Sequence, residues 1–270
     1  MKFGKYFDLT AYSRRVSYFL TRCRLVFRYP VKVIIRVDSF RIIFVVSSML
    51  EYRLRARESY NRETVTMYWL RTVVSGRDVV YDVGANVGAY SLYAGKKLAK
   101  FSGKVYAFEP AYFNFLSLCR NIAINQVNDT VVPYPLAFGG SSTATKFFLS
   151  STIEGSALHG LGEPVSEGNT FVPKFQQGVF VTSLDEFVLN RNVDFPNHIK
   201  IDVDGSEGEI LAGMESVMRD KRMKSIMIEI NGDLSQGEFE RSIISSGFDE
   251  VMVEKWPNGN TFNKLFVRRQ

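Results

Sequence analysis

The residues with the most chemistry to offer fall in two short stretches of the chain. The first is Asp82-Val83-Gly84-Ala85-Asn86-Val87-Gly88, with Glu109 lying 21 positions beyond Gly88. The second holds Asp202, Asp204 and Glu207 within six residues. Of the two histidines, His159 lies between these stretches in a glycine- and serine-rich segment, and His198 opens an apolar run.

A glycine-bounded turn between a strand and a helix lets backbone approach a bound molecule, because glycine carries no Cβ. Gly84 and Gly88 read as such a turn; the plainer alternative is that they only shape the chain. A dinucleotide site calls for G-x-G-x-x-G, which admits a pyrophosphate. Here Asn86 stands at the middle glycine position and Ala89 at the last. Asp82, at the strand end, would repel a pyrophosphate but suits the ammonium and sulfonium of S-adenosylmethionine. At about 5 Å and an effective dielectric of about 20, two opposite unit charges attract by roughly 3 kcal/mol. Glu109 follows the next strand, where an acid can accept both hydroxyls of a ribose. It also starts a helix, with Pro110 at the first helical position, and an acid is favoured there in any case.

The second cluster suits proton transfer. Methylating a hydroxyl requires loss of its proton as the oxygen attacks, and a carboxylate or an imidazole can take it. Asp202 is the first candidate and Glu207 the second. His159 is the third, provided its loop folds over the site as a lid. Plainer readings stand beside these. Ser206 and Glu209 have capping-box spacing, Glu207 falls in a first helical turn, and Asp204 can shape a turn. An oxygen-rich cluster can also hold a divalent ion, but this spacing does not require one and no metal is expected.

Elements must hold these residues in place. The segments 79–83, 104–108 and 130–134 read as short strands, separated by helical patterns over 89–100 and 111–125. This β-α-β-α-β order implies a parallel sheet with right-handed crossovers. Pro133 favours an edge position for the third strand. Segments 198–202 and 225–231 extend the sheet, with a helix over 206–218 between them. The last two strands, 250–255 and 263–269, flank a turn-rich linker and read as an antiparallel hairpin. Residues 139–178 break the rhythm and read as an insertion or lid loop with one strand-like piece over 144–149. The expected fold is α/β, doubly wound and Rossmann-like, around a mostly parallel seven-stranded sheet formed by residues 59–270. In such sheets ligands lie beyond the carboxyl ends of the strands, at the switch point.

Residues 1–58 precede that domain. Residues 1–36 read as a basic, aromatic-rich helical arm ending near Pro30, and 40–48 as a strand. Nine Lys and Arg and one acid lie between Met1 and Arg36, a net +8, whereas the whole chain carries +6. The basicity therefore belongs to the arm. Such an arm suits anionic lipid, nucleic acid or an acidic partner. Peripheral membrane contact through residues 1–36 is one reading, and a solvated arm is the other. No recognised nucleic-acid module is present, so no nucleic acid is expected. No unbroken run of about 20 apolar residues exists to span a bilayer, and the start lacks the pattern of a signal peptide. Cys23 and Cys119 match no metal-ligand spacing or disulfide framework, which fits a reducing, cytoplasmic setting.

Several blocks together resemble the FkbM family of class I methyltransferases. They are DVGANVG (82–88), AFEP (107–110), NIAIN (121–125), TSLDEFV (182–188), HIKIDVDGSEGEILAGM (198–214) and IMIEIN (226–231). Their order and spacing carry the resemblance, which runs from about residue 63 to the C-terminus. It implies S-adenosylmethionine as cofactor and methyl transfer to an oxygen of a sugar, glycan or other small hydroxylated acceptor. The expected cofactor-binding set is Asp82, Gly84, Ala85, Asn86, Gly88, Glu109, Asn125 and Ala137; the expected catalytic set is Asp202, Glu207 and His159. Asp204 stands where the family has glutamate, one methylene longer. Two other classes remain as alternatives. One is a nicotinamide-dependent oxidoreductase, against which Asp82 and Asn86 speak. The other is a non-catalytic membrane-surface adaptor using the basic arm.

Overall fold

The computed structural model describes Leu20, Cys23 and residues 30–190, 193–257 and 259–269. The expected helical arm before Pro30 thus lies, but for those two residues, outside the described residues. From Val31 the chain is not helical. β1 (Val31–Val37) pairs with β2 (Phe40–Val46) in an antiparallel hairpin. The β-branched run of β1 suits a pleated surface and overrides the helical reading of residues 31–36. Helical turns over Glu51–Glu58, Ser59–Arg62, Thr64–Tyr68 and Trp69–Val73 follow.

The α/β rhythm then runs as expected. β3 (Val79–Val83), a helix over Ala89–Leu98, β4 (Lys104–Phe108), a helix over Tyr112–Asn125 and β5 (Val131–Tyr134) form the first half. After an inserted region come a helix over Leu184–Asn190, β12 (His198–Ile201), helices Glu207–Ala212 and Glu215–Arg219, β13 (Ser225–Asn231), a helix over Glu238–Ser245, β14 (Phe248–Lys255) and β15 (Thr261–Arg268). The single helix expected over 206–218 is two. The strands form one seven-stranded sheet in the order β14-β15-β13-β12-β3-β4-β5. Neighbours from β13 to β5 are parallel, and β15 runs antiparallel to both β13 and β14. Pro133 sits on the edge strand β5, where its missing N–H costs no ladder bond.

Alternating residues of the strands feed two cores. Val80, Val105 and Met227 pack on one face with the hairpin and the helices Ala89–Leu98 and Tyr112–Asn125. Tyr81, Val83, Phe108, Ile199 and Ile201 pack on the other with the helices from Leu184 onward. The period of two along each strand is what makes the sheet doubly wound.

The hairpin shares the first of these cores, so packing does not divide the chain at residue 58. Two asparagines of the NIAIN block join it to the domain. Asn121 Oδ1 accepts from Val45 N–H at 2.9 Å, and Asn125 Oδ1 accepts from Ile43 N–H at 2.9 Å. Four helical residues rise about 6 Å and two strand residues about 6.8 Å, so the spacings match. Asn121 also donates to Val87 O at 3.0 Å, tying the hairpin to the turn after β3.

The inserted region is not a bare loop. It contributes β6 (Ala137–Phe138), β7 (Thr143–Leu149), β8 (Gly160–Leu161), a small β9 (Val165–Ser166) and β10 (Asn169–Thr170) hairpin, and β11 (Phe175–Thr182). β6, β11, β7 and β8 form a separate four-stranded sheet. The β7–β8 connection, residues 150–159, is the part that packs against the turn after β3, through Ser156. At the far end of the main sheet His198 is a locked core residue. Its Nε2 lies 2.9 Å from Asp78 and its Nδ1 2.7 Å from Ser225 Oγ, which also accepts from Trp69 Nε1.

Candidate active site

β3 and β12 are neighbours where the winding of the sheet reverses, so the turn after β3 and the loop after β12 open into one crevice. A cavity of about 110 Å³ occupies it. Of the residues expected from sequence, Gly84, Ala85, Asn86, Glu109, Ala137, His159 and Asp202 line this cavity. Asp82, Gly88, Asn125 and Glu207 do not.

Gly84 has φ +81°, and a Cβ on it would lie 1.8 Å from the carbonyl oxygen of Asp202. The two loops touch there, so the position admits only glycine. Asn86 also has a left-handed backbone, φ 51°, which asparagine tolerates. That conformation turns its N–H onto Glu109 Oε2 at 2.8 Å, while Ala111 N–H reaches Glu109 Oε1 at 2.9 Å. The Asn114 side chain also hydrogen-bonds the carboxylate, which keeps acceptor capacity beyond these three. Glu109 therefore fixes its helix start and still presents acceptors to the cavity. Burial pushes its carboxyl up to about 7.

Asp82 faces inward rather than onto the cavity. Its Oδ2 accepts from the Ser91 hydroxyl, and its Oδ1 lies 3.9 Å from Lys200 Nζ with no hydrogen-bond partner. Burial raises its pKa and the Lys200 charge opposes that rise. The expected direct contact is thus corrected: Asp82 reaches the cavity through Lys200. That lysine, absent from the expected set, lines the cavity from β12 with its side chain 2% exposed. Its Nζ lies 2.5 Å from Asp202 Oδ2 and 5.2 Å from the centre of the Tyr90 ring. Burial alone would lower its pKa, but Asp202, Asp82 and Glu63 raise it above the ordinary value. The signal was legible. A lysine inside the apolar strand His198–Ile201 is a buried charge that requires partners.

The second cluster separates by role. Asp202 stays partly open, its side chain 30% exposed, and so does Asp204, while Glu207 is buried. Asp204 Oδ2 accepts from His159 N–H at 2.8 Å, and burial pushes its carboxyl up to about 6. The shorter acid therefore anchors the lid backbone. Glu207 is buried behind the loop, its Oε1 accepting from Gly205 N–H at 3.3 Å, and burial pushes it up to about 8. Ser206 makes no side-chain cap, so the capping box does not form, and Ser206 lines the cavity instead. His159 Nδ1 accepts from Ser150 N–H at 3.3 Å, which leaves its hydrogen on Nε2. Burial, and then the Arg55 charge, push its pKa down to about 4. Burial thus favours the neutral imidazole, its Nδ1 lone pair engaged by the Ser150 N–H.

Two remaining expectations have structural reasons. Gly88 lies against Leu118, whose side chain a Cβ would meet at 2.6 Å; it allows the two helices to approach. Asn125 braces β2, as described above. The lid closes on the turn itself: Ser156 O accepts from Asn86 Nδ2 at 2.9 Å and from Asn114 Nδ2 at 3.0 Å. Among the described residues no group of three or more His, Cys, Asp or Glu side chains is arranged to hold a metal ion. No helix among them is long and apolar enough to cross a membrane.

Comparison with known proteins agrees with this geometry. A family model described as "Methyltransferase FkbM domain" matches residues 82–254. Hexuronic acid methyltransferase AglP of Haloferax volcanii is 28% identical over 229 residues, 82% of this chain and 87% of that protein. The 31-O-demethyl-FK506 methyltransferase FkbM of Streptomyces tacrolimicus is 27% identical over 214 residues, 71% of this chain and 81% of that protein. Among solved structures, methyltransferase FkbM of Methylobacillus flagellatus KT superposes with a TM-score of 0.52 at 16% identity. That superposition covers 75% of this chain and 47% of the other, and it speaks to the fold.

Proposed function

This chain belongs to the FkbM methyltransferase family, and from that premise we propose that it transfers a methyl group from S-adenosylmethionine to a hydroxyl of a sugar or other small hydroxylated acceptor. One observation carries the reading: the Gly84–Asn86 turn, Glu109 and Asp202 meet in one cavity at the sheet's switch point. The residues fit that cofactor. Gly84 lets the turn after β3 close onto Asp202, so both loops wall one cavity. Glu109 keeps acceptor capacity for ribose hydroxyls, and Leu136, Ala137 and Phe138 form an apolar wall suited to an adenine. Carboxylates around the cavity suit a cation. The hexuronic acid substrate of the Haloferax volcanii relative supports a sugar acceptor. The oxidoreductase and adaptor alternatives find no support among these relatives.

When bound, the cofactor supplies an activated methyl on a cationic sulfur. The chain does the rest. Glu109 and the turn hold the nucleoside, the lid over residues 150–159 limits water, and Asp202 takes the proton that the acceptor hydroxyl loses. Lys200 fixes the Asp202 carboxylate at 2.5 Å, so the proton acceptor is oriented before the acceptor arrives. Asp202→Asn is expected to lower kcat by at least about 100-fold while S-adenosylhomocysteine binds as before. An unchanged kcat would remove Asp202 from this role.

Glu109 gives the reading a pH dependence. Its carboxyl, pushed up to about 7, must ionise to accept both ribose hydroxyls well. The competent form is lost as pH falls through that value, so affinity rises with pH. Calorimetry with S-adenosylhomocysteine should show roughly tenfold tighter binding at pH 8 than at pH 6, and Glu109→Gln should flatten the profile and weaken binding. Wild-type affinity in that variant at both pH values would overturn the assignment.

The +8 charge of residues 1–36 supports peripheral contact with an anionic membrane surface. Replacing Arg14, Arg15, Arg22 and Arg24 with glutamine is expected to abolish flotation with phosphatidylserine vesicles. Equal flotation of both proteins would end the membrane reading.

A further inference from the structure

Two cations line the cavity, and they differ. Lys200 is neutralised in place by Asp202 and Asp82. Arg55, on the helical turns over Glu51–Glu58, is half-buried, and its side chain makes one hydrogen bond among the described residues, from Nε to Gly155 O at 2.8 Å. It forms no ion pair among the described residues. Its charge reaches both His159 and Asp204, so it stands over the cavity rather than out in solvent. A guanidinium has five N–H donors in a planar fork. One is spent on the lid, which fixes the stem and leaves the fork preorganised. Asp204 feels the Arg55 charge but hydrogen-bonds the lid backbone at His159 N–H rather than the guanidinium, so the fork is left to meet a negative group of a ligand.

We propose that Arg55 is a carboxylate-binding residue of this cavity, held by Gly155 O and unpaired until a ligand supplies the anion. The inference rests on the methyl-transfer reading, since both ligands of that reaction can carry a carboxylate. One is the methionine half of the donor and the other a uronic-acid acceptor. Bidentate pairing with a planar carboxylate is the geometry the guanidinium favours over a lysine's point charge.

Three titrations by calorimetry distinguish the sources in wild type and Arg55→Gln. S-adenosylhomocysteine carries the amino-acid carboxylate, 5′-methylthioadenosine lacks the whole amino acid, and glucuronate is titrated into protein saturated with S-adenosylhomocysteine. If the carboxylate is the donor's, the variant binds S-adenosylhomocysteine about 10- to 100-fold more weakly and 5′-methylthioadenosine within twofold of wild type. If it is the acceptor's, both nucleosides bind unchanged and glucuronate binding is lost. Arg55→Lys should fall between, because it keeps the charge without the fork. Parallel loss of both nucleosides would mark Arg55 as a structural latch of the lid and overturn the proposal. So would a variant that binds S-adenosylhomocysteine and glucuronate just as wild type does. Failure of wild type itself to bind S-adenosylhomocysteine is a separate result, and it would overturn the donor reading instead.

Discussion

Gly84→Ala is expected to cost about 3 kcal/mol or more of stability and to abolish cofactor binding, whereas Gly76→Ala should cost only about 1 kcal/mol. Both glycines have positive φ, +81° and +61°. An alanine pays the left-handed backbone penalty at either position. They differ in what the new Cβ meets. At Gly76 nothing lies within 4 Å, and at Gly84 the Asp202 carbonyl oxygen lies 1.8 Å away. That oxygen is backbone, so it cannot rotate aside. Relief requires the ends of β3 and β12 to part, which breaks the bond from Asp202 N–H to Val83 O at 3.1 Å. The same parting moves Asp202 relative to the turn. Urea denaturation of the two variants, with S-adenosylhomocysteine titrations on each, makes the comparison. Equal stability losses would show that the contact between the loops is soft.

Lys200→Met should be as severe, by an electrostatic route. Methionine fills similar volume, so packing changes little. What is lost is the partner of Asp82 and Asp202, and breaking a buried pair costs about 3–5 kcal/mol because the remaining charge is stranded. The sign with pH is specific. Without the lysine, the folded-state pKa of Asp82 lies further above its unfolded one, since burial already raises it and the Lys200 charge is the strongest opposition. The folded state then binds more protons than the unfolded state, so stability falls as pH rises through those values. Relative to wild type, the variant should therefore recover part of its deficit between pH 8 and pH 5. In wild type the raised Lys200 pKa keeps its contribution complete throughout that range, and it is lost only when the lysine itself deprotonates above its ordinary value. Thermal melts across this range test the slope. A deficit that grows on acidification would contradict the ion-pair account.

The lid offers a simpler lesson about buried acids. Asp204 is one methylene shorter than the family glutamate, and that reach is what the His159 N–H requires, at 2.8 Å. A conservative Asp204→Glu change would have to displace residues 158–159 to keep the same bond. The position is better understood through the lid backbone than through catalysis.

The amino-acid sequence by itself determined the sheet, its switch point and the places where a ligand must meet the chain. Alternating apolar residues, Pro133 on an edge and the glycine-bounded turn are local signals, and each depends on neighbours a few positions away. The seven-stranded sheet, the C-terminal hairpin and the cavity residues Gly84, Asn86, Glu109 and Asp202 were all legible in that way. What only the tertiary structure decided is which acids face the cavity and which serve the frame. Asp82, Asp202 and Glu207 look alike as residue types. They part because Lys200 comes between the first two and the Gly205 N–H turns the third inward. His159 and Asn125 carry contacts that no local pattern shows, for the same reason. Their roles are set by Ser150, brought near by a strand turn, and by Ile43, 82 residues away. Hydrogen bonds and buried charges are short-ranged in space but unrestricted in sequence separation. A pattern of residues can therefore locate a site without assigning the work of each side chain in it.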